Sequence, residues 1–247
     1  MPTKSPFPPT IRIGILTYPG FEPIDVWGFT EAFVIARFIG TSYQSPPPYP
    51  FEVKFISNED APPGKKPPLP PPPPTPVNCQ NGPRVAPDYY RDEALKQPFD
   101  VLMIPGGQTW NFLPPVDKTG AKALLDWVKK MDKRVKLMTT VCTGAAILAA
   151  TGLLDGRPAA TNHQAFKWVT GYGPKVRWDN VSRWVDDGHY VTSAGVSSGT
   201  DMAFHLVDRL AGRAVAEAAA MAAEYDWHRD PQTPIFYPQQ ATVPDSR

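Results

Sequence analysis

Thr139-Thr140-Val141-Cys142-Thr143-Gly144-Ala145-Ala146-Ile147-Leu148 joins an apolar, β-prone run (Val135 to Val141) to a run of small helix formers (Ala145 to Ala150). The change of pattern predicts a strand, a sharp turn and a helix, with one thiol at the turn. A thiol in that place meets the outward-pointing N–H groups of the first helical turn, which stabilise a thiolate and lower its pKa. A low-pKa, partly exposed Cys142 is therefore expected. The same architecture carries the nucleophile of hydrolases built on a strand-turn-helix elbow. The alternative reading of these ten residues is a buried cysteine packed as a small hydrophobe.

Working outward, the chain alternates between the two periods. Ile11-Arg12-Ile13-Gly14-Ile15-Leu16 reads as a strand, Pro23 to Phe38 as a helix, and Phe51 to Ile56 as a half-buried strand. Asn81-Gly82 marks a turn between short β segments around Cys79 and Val85. Asp100-Val101-Leu102-Met103-Ile104 is near-continuously apolar, the pattern of a parallel strand covered on both faces, and ends in Pro105-Gly106-Gly107. Ala121 to Met131 reads as a helix, and Val181 to Trp184 with Tyr190 to Ser193 as a hairpin around Asp186-Asp187-Gly188. Asp201 to Ala211 and Ala214 to Tyr225 read as helices. Alternating β and α elements predict an α/β fold, a doubly wound and mostly parallel sheet sandwiched by helices. In such sheets ligands bind beyond the carboxyl ends of the strands. Asp25, Gly106-Gly107 and Cys142 each follow such an end, so the fold rule alone brings them to one rim.

The 247 residues suffice for one large α/β domain. We assign residues 11–226 to it, 1–10 to a disordered N-terminal segment without the apolar core of a signal peptide, and 227–247 to a C-terminal tail. Charge is balanced, with 25 basic and 24 acidic side chains, so neither nucleic acid nor an anionic membrane is an expected partner. No apolar run approaches the roughly 20 residues that span a bilayer. Two cysteines, Cys79 and Cys142, are too few for a disulfide framework, and a cytoplasmic setting is expected. Proline is the anomaly, at 32 residues. Ten of the fifteen positions from Pro62 to Pro76 are proline, which predicts an exposed, solvated insertion (61–76) in a surface loop, or alternatively a ligand for a proline-binding domain. Pro46-Pro47-Pro48-Tyr49-Pro50 marks another loop.

Several ordered motifs together resemble the ThiJ/PfpI family of the class I glutamine amidotransferase-like superfamily, with a flavodoxin-like fold. They are Ile13-Gly14-Ile15-Leu16 with Asp25-Val26-Trp27-Gly28, then Asp100 to Gly107, then Val141-Cys142-Thr143-Gly144. Gly152 to Arg157, Ala160-Thr161-Asn162-His163 and Thr192 to Asp201 continue the likeness, which covers about 11–226 and is nearest to the isonitrile hydratase branch. The run also resembles the amidotransferase-like domain of AraC-type regulators. Only a proline-broken stretch follows Tyr225 here, so a stand-alone enzyme is expected. Protease-like members carry histidine directly after the cysteine, where this chain has Thr143, and glyoxalase-like members carry glutamate where it has Asp25.

The resemblance implies a cofactor-free enzyme, a small-molecule substrate and a homodimer. It implies Cys142 as nucleophile and Asp25 as the carboxylate facing it; because a carboxylate and a thiolate in contact repel, the pair is expected to share one proton. As a thiolate, Cys142 would attack the terminal carbon of R–N≡C, and Asp25 would supply a proton and then activate water. On the residues alone, Asp25 reads first as an N-cap or first-turn acid of its helix, and the resemblance reverses that order. Gly106 and Gly107 are either turn glycines or backbone donors to a developing anion, together with Thr143. His163 is either structural or a pocket residue. Trp27 and Trp110 either line an apolar pocket or belong to the core. Four histidines and two distant cysteines show no metal-ligand spacing. The rival readings are another Cys/Asp enzyme for a different small electrophile, and a non-enzymatic redox-sensing or ligand-binding module.

Overall fold

The computed structural model describes residues 10–36, 51–62 and 72–235. Nine residues at the centre of the proline insertion (63–71), the Pro46–Pro50 cluster, 1–9 and 236–247 lie outside them. The elements run β1 (Ile11–Thr17), α1 (Pro23–Ala36), β2 (Phe51–Ser57), β3 (Val77–Asn78), β4 (Arg84–Val85), α2 (Arg91–Ala94) and β5 (Val101–Ile104). A 3-10 turn (Thr109–Phe112) leads to α3 (Lys118–Asp132), β6 (Leu137–Thr140), α4 (Gly144–Ala150), β7 (Pro158–Ala160), α5 (Phe166–Thr170) and β8 (Arg177–Asp179). β9 (Trp184–Asp187), β10 (Tyr190–Ser193), α6 (Val196–Ala211) and α7 (Arg213–Ala222) complete it.

The main sheet has the order β2-β1-β5-β6-β10-β9, parallel except for the edge pair β10/β9. This is the expected doubly wound sheet. All four residues of β5 and of β6 are buried, as strands covered on both faces require. β5 lies between β1 and β6. The segments that leave those three strands at their carboxyl ends are therefore neighbours, which sets Gly106 between Asp25 and Cys142.

Two features differ from the sequence reading. The described C-terminal end of the insertion is exposed at Pro72, Pro73, Thr75 and Pro76, as expected, but it is pinned at one point: Pro74 is buried, and the Tyr90 hydroxyl donates to the Pro73 carbonyl at 3.4 Å. The β3–β4 hairpin that follows is tied to the loop after β1, with Gly20 N–H on Asn78 O (2.9 Å) and Gln80 N–H on Phe21 O (2.8 Å). At the other end, Trp227 is buried, so the packed body extends beyond 226. Its indole N–H donates to Asp201 O at 3.1 Å. The Asp201 carboxylate is fully buried and accepts from Arg183 Nε at 2.8 Å, the Tyr225 hydroxyl at 3.0 Å and His228 N–H at 3.0 Å. A buried charge with that many donors is compensated rather than orphaned. The Arg183 carbonyl accepts from Ala194 N–H (2.7 Å), and the Ala194 carbonyl from Cys142 N–H (2.9 Å), so this network reaches the elbow.

Candidate active site

Cys142 occupies the turn between β6 and α4 with φ of 57°, in the left-handed region where a non-glycine residue is strained. The turn is held by Cys142 N–H on Ala194 O and by the Thr161 hydroxyl on Cys142 O at 2.9 Å. Its sulfur accepts from the side-chain amide of Asn162 at 3.2 Å and from the Thr143 N–H. The Asn162 Oδ1 accepts from Ala165 N–H at 2.9 Å, ahead of α5. That bond fixes which end of the amide faces the sulfur.

Asp25, in the first turn of α1, is fully buried. Its Oδ2 accepts from Gly106 N–H at 2.7 Å, while Oδ1 is buried with no hydrogen-bond partner. Gly106 is where the carboxyl and the thiol meet. A Cβ there would lie 2.8 Å from the Cys142 Cβ and 2.7 Å from the Thr143 nitrogen, so only glycine lets the three segments close. Gly107, at φ of 106°, leaves room for the loop after β1: a Cβ would lie 2.5 Å from Glu22 N.

Burial decides the charges. It pushes the Asp25 carboxyl up to about 8, against the Gly106 hydrogen bond, with the nearby Glu22 charge adding to the rise. At neutral pH Asp25 is a neutral acid, and the oxygen without a partner is free to carry its proton. The expectation of a depressed Cys142 pKa is overturned. The residue is only 6 % exposed, and burial together with the Asp25 charge raises its thiol well above the ordinary range. The donors Thr143 N–H and Asn162 pull it down by less. The helix start was correctly placed; desolvation outweighs it.

The other expected site residues divide. The Gly106 N–H is occupied by Asp25, and Gly107 N–H by the Thr143 hydroxyl at 3.1 Å, so neither is free to meet a developing anion in this state. Trp27 belongs to neither the core nor the Asp25–Cys142 contacts. It stands 40 % exposed with its ring edge-on to Phe55 at 5.6 Å. His163 turns away as well. The groups acting on it are Ser182 and Asp179, burial lowers its pKa, and its Nε2 is buried without a partner. Its neighbour Asn162 is the residue that reaches sulfur. Two further groups escaped the sequence reading. The buried Tyr18 hydroxyl bridges the carbonyls of Pro105 (2.5 Å) and Gly106 (2.8 Å), and burial above all keeps it protonated. Glu22 donates its N–H to Gly106 O at 2.9 Å, and burial raises its own carboxyl. Among the described residues, no group of three or more His, Cys, Asp or Glu side chains is placed to hold a metal ion.

A profile of the DJ-1/PfpI family matches residues 12–209. The chain belongs to the DJ-1/PfpI family. Among its relatives, an isonitrile hydratase from Pseudomonas putida is 31% identical over 126 residues, 51% of this chain and 52% of that protein. The chain thus spans about half the length of that relative. The Parkinson disease protein 7 homolog of Danio rerio is 29% identical over 57% of this chain and 72% of its own. A glutathione-independent glyoxalase of Caenorhabditis elegans, DJR-1.2, is 30% identical over 56% and 69%. DJ-1/PfpI relatives therefore include enzymes of different reactions. A ThiJ/PfpI family structure from Pseudomonas syringae superposes with a TM-score of 0.68 over 92% of this chain and 82% of that one, at 24% identity, which speaks for the DJ-1/PfpI fold.

One prediction follows from the charges of this DJ-1/PfpI site. The rate of Cys142 alkylation by iodoacetamide should rise only above the free-thiol value of about 8.5, and Asn162→Ala should move that rise higher still. An inflection below 8.5 would contradict the burial argument.

Proposed function

We propose that this chain is a cysteine-dependent hydratase that adds water to an isonitrile and yields an N-substituted formamide. The observation that carries the reading is the neutral, fully buried Asp25 set across Gly106 from the Cys142 thiol, with one carboxyl oxygen anchored and the other unpartnered. An isonitrile carbon must gain one proton and one nucleophile. Here an acid and a thiol flank one place, so the proton need not come from water.

The sequence of bonds balances without a cofactor. Asp25 delivers its proton to the terminal carbon of R–N≡C as the sulfur forms the C–S bond, and the thiol proton passes to the Asp25 carboxylate. The product is a thioimidate, R–N=CH–S–Cys142. Asp25, now protonated again, gives that proton to the imine nitrogen and takes one from the water whose oxygen attacks the same carbon, which gives R–NH–CH(OH)–S–Cys142. The C–S bond breaks with return of a proton to sulfur, releasing R–NH–CHO. Asn162 and the Thr143 N–H stabilise the sulfur while it carries charge. This differs from attack by a preformed thiolate: the acid acts first because burial leaves both groups protonated.

The test is turnover by the purified chain of a small alkyl isonitrile, methylglyoxal and hydrogen peroxide, read by NMR and mass spectrometry. Catalytic formamide production is expected. Turnover of methylglyoxal alone would assign the same pair to the aldehyde, and stoichiometric sulfur oxidation with no turnover would make the chain a sensor.

A further inference from the structure

Beside the elbow stands an aromatic row that the reaction above does not use. Trp110, on the 3-10 turn, is 45 % exposed. Its ring meets Trp168 of α5 edge-to-face, with centroids 6.4 Å apart and planes at 84°. Trp168 in turn meets Tyr172 at 5.2 Å and 68°, and the Tyr172 hydroxyl donates to Pro114 O at 2.9 Å, which ties the far end of the row. The row hangs from the two segments that hold the thiol. The 3-10 turn begins two residues after Gly107, whose N–H is on the Thr143 hydroxyl. α5 follows Asn162, whose amide reaches the sulfur at 3.2 Å. Both pack on α4, the helix that leaves Cys142.

We propose that Trp110, Trp168 and Tyr172 form a subsite for an uncharged aromatic ring on the R group of the substrate. The proposal rests on the reading of Cys142 as the reacting centre. Tryptophan and tyrosine offer large, rigid contact area at low entropic cost. The two interlocked rings behind Trp110 hold it in place, so its exposed surface is presented before a ligand arrives. Edge-to-face partners of this kind suit another flat ring, and nothing in the row supplies a charge to a charged R group.

The experiment is titration of the chain with N-benzylformamide and N-methylformamide, followed by ligand-observed NMR, in the wild type, Trp110→Ala and Trp110→Phe. The benzyl compound should bind about tenfold tighter than the methyl compound in the wild type. Trp110→Ala should erase that preference and Trp110→Phe restore most of it, while turnover of methyl isonitrile stays within about threefold in all three. Equal binding of the two formamides, no binding of the benzyl compound at millimolar concentration, or a preference that survives Trp110→Ala would overturn the subsite. A change of solution mass in Trp110→Ala without loss of ring preference would overturn it too, and make the row a contact between copies. The two readings separate cleanly. A chain with the Trp110-dependent ring preference but no isonitrile turnover keeps the subsite and loses the reaction. A chain that hydrates methyl isonitrile without a ring preference does the reverse.

Discussion

Asp25→Asn should lower isonitrile turnover by about a thousandfold while leaving the fold intact. The amide can still accept the Gly106 N–H bond, so the turn after β5 keeps its anchor. What it cannot do is release a proton to the isonitrile carbon. The same substitution should change the pH dependence of stability, and the sign is fixed. An unfolded aspartate loses its proton near about 3.9, whereas the folded chain holds it to about 8. Between those values the folded state binds more protons, so Asp25 subtracts stability as pH rises from about 4 through about 8. The melting temperature of Asp25→Asn should therefore fall less between pH 5 and pH 8 than that of the wild type. A variant with near wild-type turnover would return Asp25 to a purely structural role in α1.

Cys142→Ala should remove turnover altogether, and the double variant Asp25→Asn/Cys142→Ala should be no worse than Cys142→Ala. Groups that act on one atom in one step do not contribute additively. The alanine should cost little stability. Both residues tolerate the same strained φ of 57° poorly, and alanine keeps the small volume the site needs. If the double variant is measurably slower than Cys142→Ala, the carboxyl and the thiol do not act as one unit.

The fold was legible because its signals are local. The β5 stretch Val101-Leu102-Met103-Ile104 is apolar at every position, and the elbow changes period within three residues. α6 was placed too late, at Asp201 rather than Val196, because Val196-Ser197-Ser198-Gly199-Thr200 carries weak helix formers that tertiary packing overrides. At the site, Asp25, Gly106 and Cys142 were readable from the rule of strand ends. Trp27 was misread for a geometric reason. Residues two apart on a helix point to opposite sides, so with Asp25 turned inward Trp27 must turn out. Asn162 lay in a recognised motif but its role did not show, and Tyr18 and Glu22 left no local trace, since each acts through contacts made only when distant loops close. The thiol's pKa was misjudged because sequence reveals a helix start but not the depth at which it is buried.

Mass spectrometry of the chain, acid-quenched in the presence of a small alkyl isonitrile, tests the central claim most directly. The account predicts a gain equal to one intact isonitrile, carried on the peptide containing Cys142, and no such gain in Cys142→Ala. Formamide production with no covalent adduct in the wild type, or an adduct on Cys79 instead, would contradict it.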